Sequence, residues 1–184
     1  MRVWVPMSEL LASFEANAKE SAATVERVDA SPDSIRAAVL QAVGSSSKIV
    51  LGPREFLPDD IMSALRDLPG VIPQPSDEQL STADVGVSAA FASIASSGSV
   101  CIAMGAPLAA AASLLMPLNI VLLSPDRIVT RPRDLFDPLC LGGEGLRRDL
   151  VFITGPSATA DMGPLVRGVH GPHRLHILLL TRPR

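Results

Sequence analysis

Tyrosine is absent from the chain, and aromatic residues make up only 3% of its 184 positions. That scarcity argues against the aromatic platforms on which nucleic-acid bases stack. It leaves a core of Ala, Leu, Val and Ile, suited to close packing of helices on a sheet. Cysteine is scarce as well: there are two, Cys101 and Cys140, and neither belongs to a Cys-x-x-Cys pair. Two thiols are too few for a cysteine-ligated zinc or an iron–sulfur cluster held by this chain alone. Buried free thiols in a reducing, cytoplasmic compartment are expected instead, and no cofactor is expected. Positive charge is not clustered. The net charge is −3 and the isoelectric point about 5.6. Arg127, Arg131, Arg133, Arg147 and Arg148 are interspersed with Asp126, Asp134, Asp137, Glu144 and Asp149, which reads as solvated loops rather than a phosphate-binding stripe. No nucleic-acid partner is expected. The opening Met1-Arg2-Val3-Trp4 leads into no apolar run with a cleavage site, so no signal peptide is expected.

Charge of either sign is missing between Asp84 and Asp126. Within that stretch Cys101–Leu123 is apolar enough to be weighed as a membrane span. Gly105, Pro107, Pro117 and Asn119 interrupt it, and its short runs read as buried central strands, so no span is expected. The length suits one α/β domain over residues 1–184, and the hydrophobic fraction of 47% supplies its core.

The chain opens on a helix after Pro6, with Leu10, Leu11 and Phe14 on one face. Thr24–Val28 is a β-branched strand. Ser31-Pro32-Asp33 then starts a second helix, Ser31 as N-cap and Pro32 in the first helical position, with Gly44 ending it. Strand Lys48–Leu51 closes on Gly52-Pro53. A third helix follows Pro58, turning Ile61, Met62 and Leu65 inward, and Val71-Ile72 is a short strand. Buried strands are expected at Val85–Ser88, Ser99–Ala103 and Ile120–Leu123 and further strands at Leu150–Ile153 and Leu175–Leu180, with an edge or hairpin strand at Arg127–Thr130 and a helical turn within Asp134–Leu139. This order predicts an α/β fold: a mostly parallel open sheet with flanking helices and an antiparallel addition.

The residues richest in chemistry follow Leu150. Strand Leu150–Ile153 opens into Thr154-Gly155-Pro156-Ser157-Ala158-Thr159-Ala160-Asp161, and Arg167-Gly168-Val169-His170-Gly171-Pro172 comes shortly after. Gly155 permits unusual backbone angles, Ser157 and Thr159 offer hydroxyls, and Asp161 caps or accepts from amides. In open α/β sheets ligands bind beyond the carboxyl ends of strands. A ligand site at Gly155, Ser157, Thr159, Asp161 and His170 therefore stands beside the plainer reading of a well-capped turn.

The spacing of Gly-Pro-Ser-x-Thr-Ala-Asp and Gly-Val-His-Gly-Pro resembles the C-terminal signature of the LUD-domain family. Ser97-Gly98-Ser99-Val100 resembles that family's Thr-Gly-Thr turn, and Leu114-Leu115-Met116-Pro117 its Leu-Leu-Pro stretch. The resemblance covers roughly Asp84 to Leu180. It implies a fold like that of ribose-5-phosphate isomerase and the CoA transferases. It also implies a role in bacterial lactate oxidation beside iron–sulfur lactate utilization proteins, with a small carboxylate or phosphate as ligand and no well-assigned reaction. A divergent acyl-CoA transferase or sugar-phosphate isomerase is the alternative, and a homo-oligomer stays open. By the same resemblance, Ser96 stands where relatives carry a Glu, Ala111 where they often carry an Arg, and Gly163-Pro164 near another Glu. These departures weaken CoA-transfer chemistry, whose acyl intermediate needs a carboxylate nucleophile.

Three further groups are weaker candidates. His170, His173 and His176 have an H-x-x-H-x-x-H spacing, but Gly171-Pro172 breaks it, so convergence on a metal is not expected. Gly142-Gly143-Glu144-Gly145 precedes a strand rather than following one, the wrong order for a nucleotide cradle. Arg54, after strand Lys48–Leu51, is a candidate anion ligand near the same sheet edge.

Overall fold

The computed structural model describes residues 5–43, 47–137, 149–159, 164 and 166–181. Helix α1 (Met7–Glu20) buries Leu10, Phe14 and Ala18, four residues apart, as a stripe facing the core requires. After β1 (Thr24–Asp29), helix α2 (Pro32–Ala42) starts as its sequence dictates: the Ser31 hydroxyl accepts from the Ser34 amide at 3.3 Å, and Pro32 fills the first turn. Strand β2 (Ile49–Leu51) and helix α3 (Asp59–Arg66) follow. Helix α4 (Asp77–Ser81) was not anticipated, although Ser76-x-x-Gln79 is a capping box that closes reciprocally.

The second half supplies β3 (Val85–Ala89), β4 (Ala92–Ile94), β5 (Ser99–Ala103), a π-helical turn (Ala111–Leu115) and β6 (Leu118–Leu123). Then come β7 (Ile128–Val129), helix α5 (Pro132–Leu135), β8 (Leu150–Ile153), β9 (Ala158–Thr159), β10 (Val166–Arg167) and β11 (Arg174–Thr181).

Five strands form one fully parallel sheet in the order β1-β11-β6-β3-β2. The antiparallel addition is a separate four-stranded sheet, β7-β4-β5-β8, in which β5 runs antiparallel to both neighbours. The edge strand expected at Arg127–Thr130 shortens to β7, which pairs parallel to β4. Val71 makes an isolated bridge to Ile49 rather than a strand. The expected turn within Asp134–Leu139 starts earlier, at Pro132. Cys140, Gly142–Gly145, Asp161, Gly163, Gly44 and Met1–Trp4 lie outside the described residues.

Alternation along the central strands sorts side chains to two cores. Ile120, Leu122, Leu178 and Leu180 face α2 and α3 together with Ile35, Val39, Ile61 and Leu65. Val121, Leu123, Ile177 and Leu179 face the opposite way, onto Phe14 of α1 and onto Val100 and Ile102 of the smaller sheet. Both faces of the parallel sheet are thus covered, which explains its near-continuous apolar strands. The Cys101–Leu123 stretch folds as β5, the π-helical turn and β6. Among the described residues no helix is long and apolar enough to cross a membrane. Cys101 is fully buried, and desolvation pushes its thiol up to about 12. At the open rim of the parallel sheet, β1 carries Glu26, Arg27 and Asp29, with Arg27 paired to Glu15 of α1 at 2.5 Å.

The π-helical turn lies directly on the sheet. A methyl at Gly86 would overlap the carbonyl oxygen of Ala112, so only glycine admits this approach. Beside it the fully buried Asn119 side chain donates to the Ser113 carbonyl at 3.0 Å and accepts from the Ser88 hydroxyl at 3.0 Å. Gly86→Ala must push backbone against backbone. It is expected to lower stability by about 3 kcal/mol, the upper end for overpacking, read as a reduced urea midpoint at unchanged slope.

Candidate functional site

Pairing of β5 with β8 sets Val100 opposite Ile153 and so brings the ends of two motifs together. Ser97-Gly98-Ser99 turns into β5, and Thr154-Gly155 leaves β8. Their hydroxyls form a chain: Ser97 to Ser99 at 2.7 Å, and Ser99 to Thr154 at 2.7 Å. Ser99 in the middle of the chain is buried, with Ser97 half-buried and Thr154 exposed at its ends. The sequence singled out both turns without linking them. A hydroxyl at each turn was the available signal.

Gly155 has φ +70°, and a side chain there would strike the Ser21 carbonyl just beyond α1, so this turn needs glycine on two counts. Asn17 of α1 also donates to the Ala95 carbonyl at 2.7 Å, fixing the β4–β5 turn from the same helix.

Ser157 joins the two halves of the signature. Its amide donates to the Pro172 carbonyl at 2.9 Å, its carbonyl accepts from the Gly168 amide at 2.9 Å, and its hydroxyl accepts from the His170 amide at 3.2 Å. The antiparallel pair β9–β10, with Thr159 opposite Val166, extends this clasp. Of the expected ligand residues, Gly155, Ser157, Thr159 and His170 therefore belong to one locality. The Ser157 hydroxyl is engaged by backbone, and His170 is exposed. Asp161 lies outside the described residues.

The clasp follows the carboxyl end of β8, but that strand belongs to the smaller sheet. Relative to the parallel sheet it sits at the opposite, amino end: Pro172 leads into β11, whose Arg174 amide bonds the Pro117 carbonyl just before β6. The expectation that the clasp and Arg54 share one edge is thus corrected, because Arg54 follows the carboxyl end of β2.

The three histidines diverge. His170 is exposed, the His173 ring lies against Gly168, and His176 is on β11. Among the described residues no three His, Cys, Asp or Glu side chains gather as a metal site would require. His176 bonds Thr24 through Nδ1 at 2.7 Å, and its Nε2 lies 3.4 Å from Glu26 without hydrogen-bond geometry. Burial lowers its pKa from the ordinary 6.5, Glu26 opposes that shift and Arg174 adds to it. Ser96 is exposed, with its amide bonded to Thr130, whereas Ala111 is buried among Val50, Ala83 and Met116.

The model of the LUD domain matches residues 74–180, which include both signature segments and the strands that hold them. The chain belongs to the LUD-domain family. Among LUD-domain relatives, a lactate utilization protein C from Deinococcus radiodurans is 27% identical over 179 residues, covering 94% of this chain and 80% of that protein. Another lactate utilization protein C, from Halalkalibacterium halodurans, is 36% identical over 101 residues, covering 53% of this chain and 44% of its own length. The fold is shared with a crystal structure of a DUF162-family protein from Deinococcus radiodurans. The TM-score is 0.69 and the identity 20%, over 97% of this chain and all of the other.

Two outcomes follow for this LUD domain. Ser157→Ala removes one hydroxyl acceptor from the His170 amide, and its stability should fall by about 0.5–1.5 kcal/mol in denaturant titration. The unfolded chain takes up the His176 proton near its ordinary pKa of 6.5, above the depressed folded value. Between these values the unfolded state binds more protons, so stability falls as pH drops. Urea midpoints compared above and below pH 6.5 should therefore fall more on acidification for the wild type than for His176→Gln.

Proposed function

We propose that this LUD-domain chain works in lactate utilization, as a small-molecule-binding or accessory subunit acting with iron–sulfur partner proteins. The observation that carries this reading is the match to a lactate utilization protein C along 94% of the chain. The site geometry supports a binding or accessory role over turnover. Ser157, the hydroxyl of the signature turn, accepts from the His170 backbone amide, a structural role, and no general base is shown beside it among the described residues. The chain carries no iron–sulfur ligand set of its own: Cys101 is buried and only one other cysteine exists. Electron transfer from lactate then falls to partners that hold such clusters.

The alternative, a divergent acyl-CoA transferase- or sugar-phosphate isomerase-like enzyme of the corresponding fold, lacks support at the two positions that would serve it. Ser96 offers no carboxylate, and Ala111 is packed among apolar side chains.

A strain lacking this chain is expected to grow poorly on L-lactate and normally on glucose, and the affinity-tagged chain from lactate-grown cells should retain iron–sulfur proteins. Unimpaired growth on lactate together with the absence of iron–sulfur partners would overturn the proposal.

A further inference from the structure

A cleft of about 250 Å³ opens at the carboxyl end of β2, and none of its lining residues belongs to the clasp. Arg54, in the turn after β2, and Arg66, in the last turn of α3, both line it, and Met62, Ile72, Pro107 and Leu108 contribute apolar wall. We propose that this cleft binds a small monocarboxylate, the anionic end held by the guanidinium groups of Arg54 and Arg66 and the short alkyl end set against the apolar wall.

Four observations support the assignment. The first is position: ligands of parallel α/β sheets gather beyond the carboxyl ends of strands, and this cleft is there, whereas the clasp is not. The second concerns Arg66. A basic residue at a helix C-terminus ordinarily serves the terminal carbonyls. In α3 that task is done by Arg36 of α2, whose guanidinium donates to the carbonyls of Ala64 at 3.4 Å and Asp67 at 3.1 Å. Third, Arg54 is only loosely engaged: it lies 3.7 Å from Asp59, and both side chains are exposed at 68% and 85%. Such a pair contributes little in water and yields readily to a better-placed carboxylate. Fourth, Leu108 is held at φ +65°, a conformation that side chains rarely adopt, and strain of this kind collects where a ligand is shaped.

Size admits such a ligand. Drug-sized ligands occupy pockets of roughly 300–1,000 Å³, so this space of about 250 Å³ is enough for an acid of a few carbons. The anion site stands on the cleft itself. The choice of a monocarboxylate such as lactate or pyruvate rests on the lactate-utilization reading.

Calorimetric titration of the full chain with L-lactate, pyruvate and inorganic phosphate tests the proposal, with sodium chloride matching ionic strength. Saturable binding of a monocarboxylate is expected, weakened about tenfold or more by Arg54→Gln or Arg66→Gln, as loss of a charged hydrogen bond implies. Arg133→Gln, which removes an exposed arginine outside the cleft lining, should bind as the wild type does. Both cleft arginines are exposed, so circular dichroism of the variants should match the wild type. Absence of saturable binding, binding indifferent to both arginine substitutions, or arginine-dependent binding of phosphate alone would each overturn the proposal. Arginine-dependent carboxylate binding in a chain whose loss leaves growth on lactate intact would uphold the cleft and remove the lactate reading.

Discussion

Everything distinctive in this molecule hangs on how closely one piece of backbone approaches the parallel sheet. The Ala112 carbonyl rests where a side chain of residue 86 would otherwise be, and Asn119 answers the neighbouring carbonyl from below. A buried amide left without partners would be costly. Here both ends of Asn119 are engaged, one by β3 and one by the π-helical turn. The contact fixes height and direction for residues 107–116, which cross the sheet instead of continuing as a regular helix. π-helical turns commonly mark functional positions.

Two separate localities follow from that crossing. At one end the segment supplies Pro107 and Leu108 to the arginine-lined cleft. At the other, the Leu114 carbonyl faces Gly171 of the clasp. The clasp itself is a backbone device: Ser157 ties three points of the 168–172 segment, and Gly155 lets the turn nest under the end of α1. The specificity of the signature therefore reflects, at least at Ser157 and Gly155, the geometry needed to close the chain onto β11.

The regular elements were legible because local and global preferences agree there. Ser31-Pro32 announced α2, the Leu10/Phe14 spacing announced α1, and the apolar runs of β5, β6 and β11 announced strands. Elements whose identity depends on distant partners were not legible. Ala92-Ser93-Ile94 has no period of its own and becomes β4 because β5 and β7 flank it. Ala111–Leu115 lies in a stretch whose short apolar runs read as buried strands, and it is instead a π-helical turn whose Ala112 carbonyl sits where a side chain at Gly86 would be. The site was half legible. Both motifs were visible and are brought together, but their place at the amino end of the parallel sheet depends on β8 belonging to another sheet. Arg66 gave no signal, since a helix-terminal arginine looks ordinary until Arg36 is seen doing its work.

The outer rim of the parallel sheet bears on how the chain behaves at high concentration. Among the described residues β1 is paired on one side only along Thr24–Asp29, and the opposite rim, β2, is three residues long. An exposed strand is a template onto which another molecule can add a strand. In β1 that template carries Glu26, Arg27 and Asp29, charges of both signs that an incoming strand would have to desolvate. Strand addition there is disfavoured, so an apolar, weakly charged chain keeps its larger sheet from growing into an aggregate through a few side chains that contribute nothing to its core.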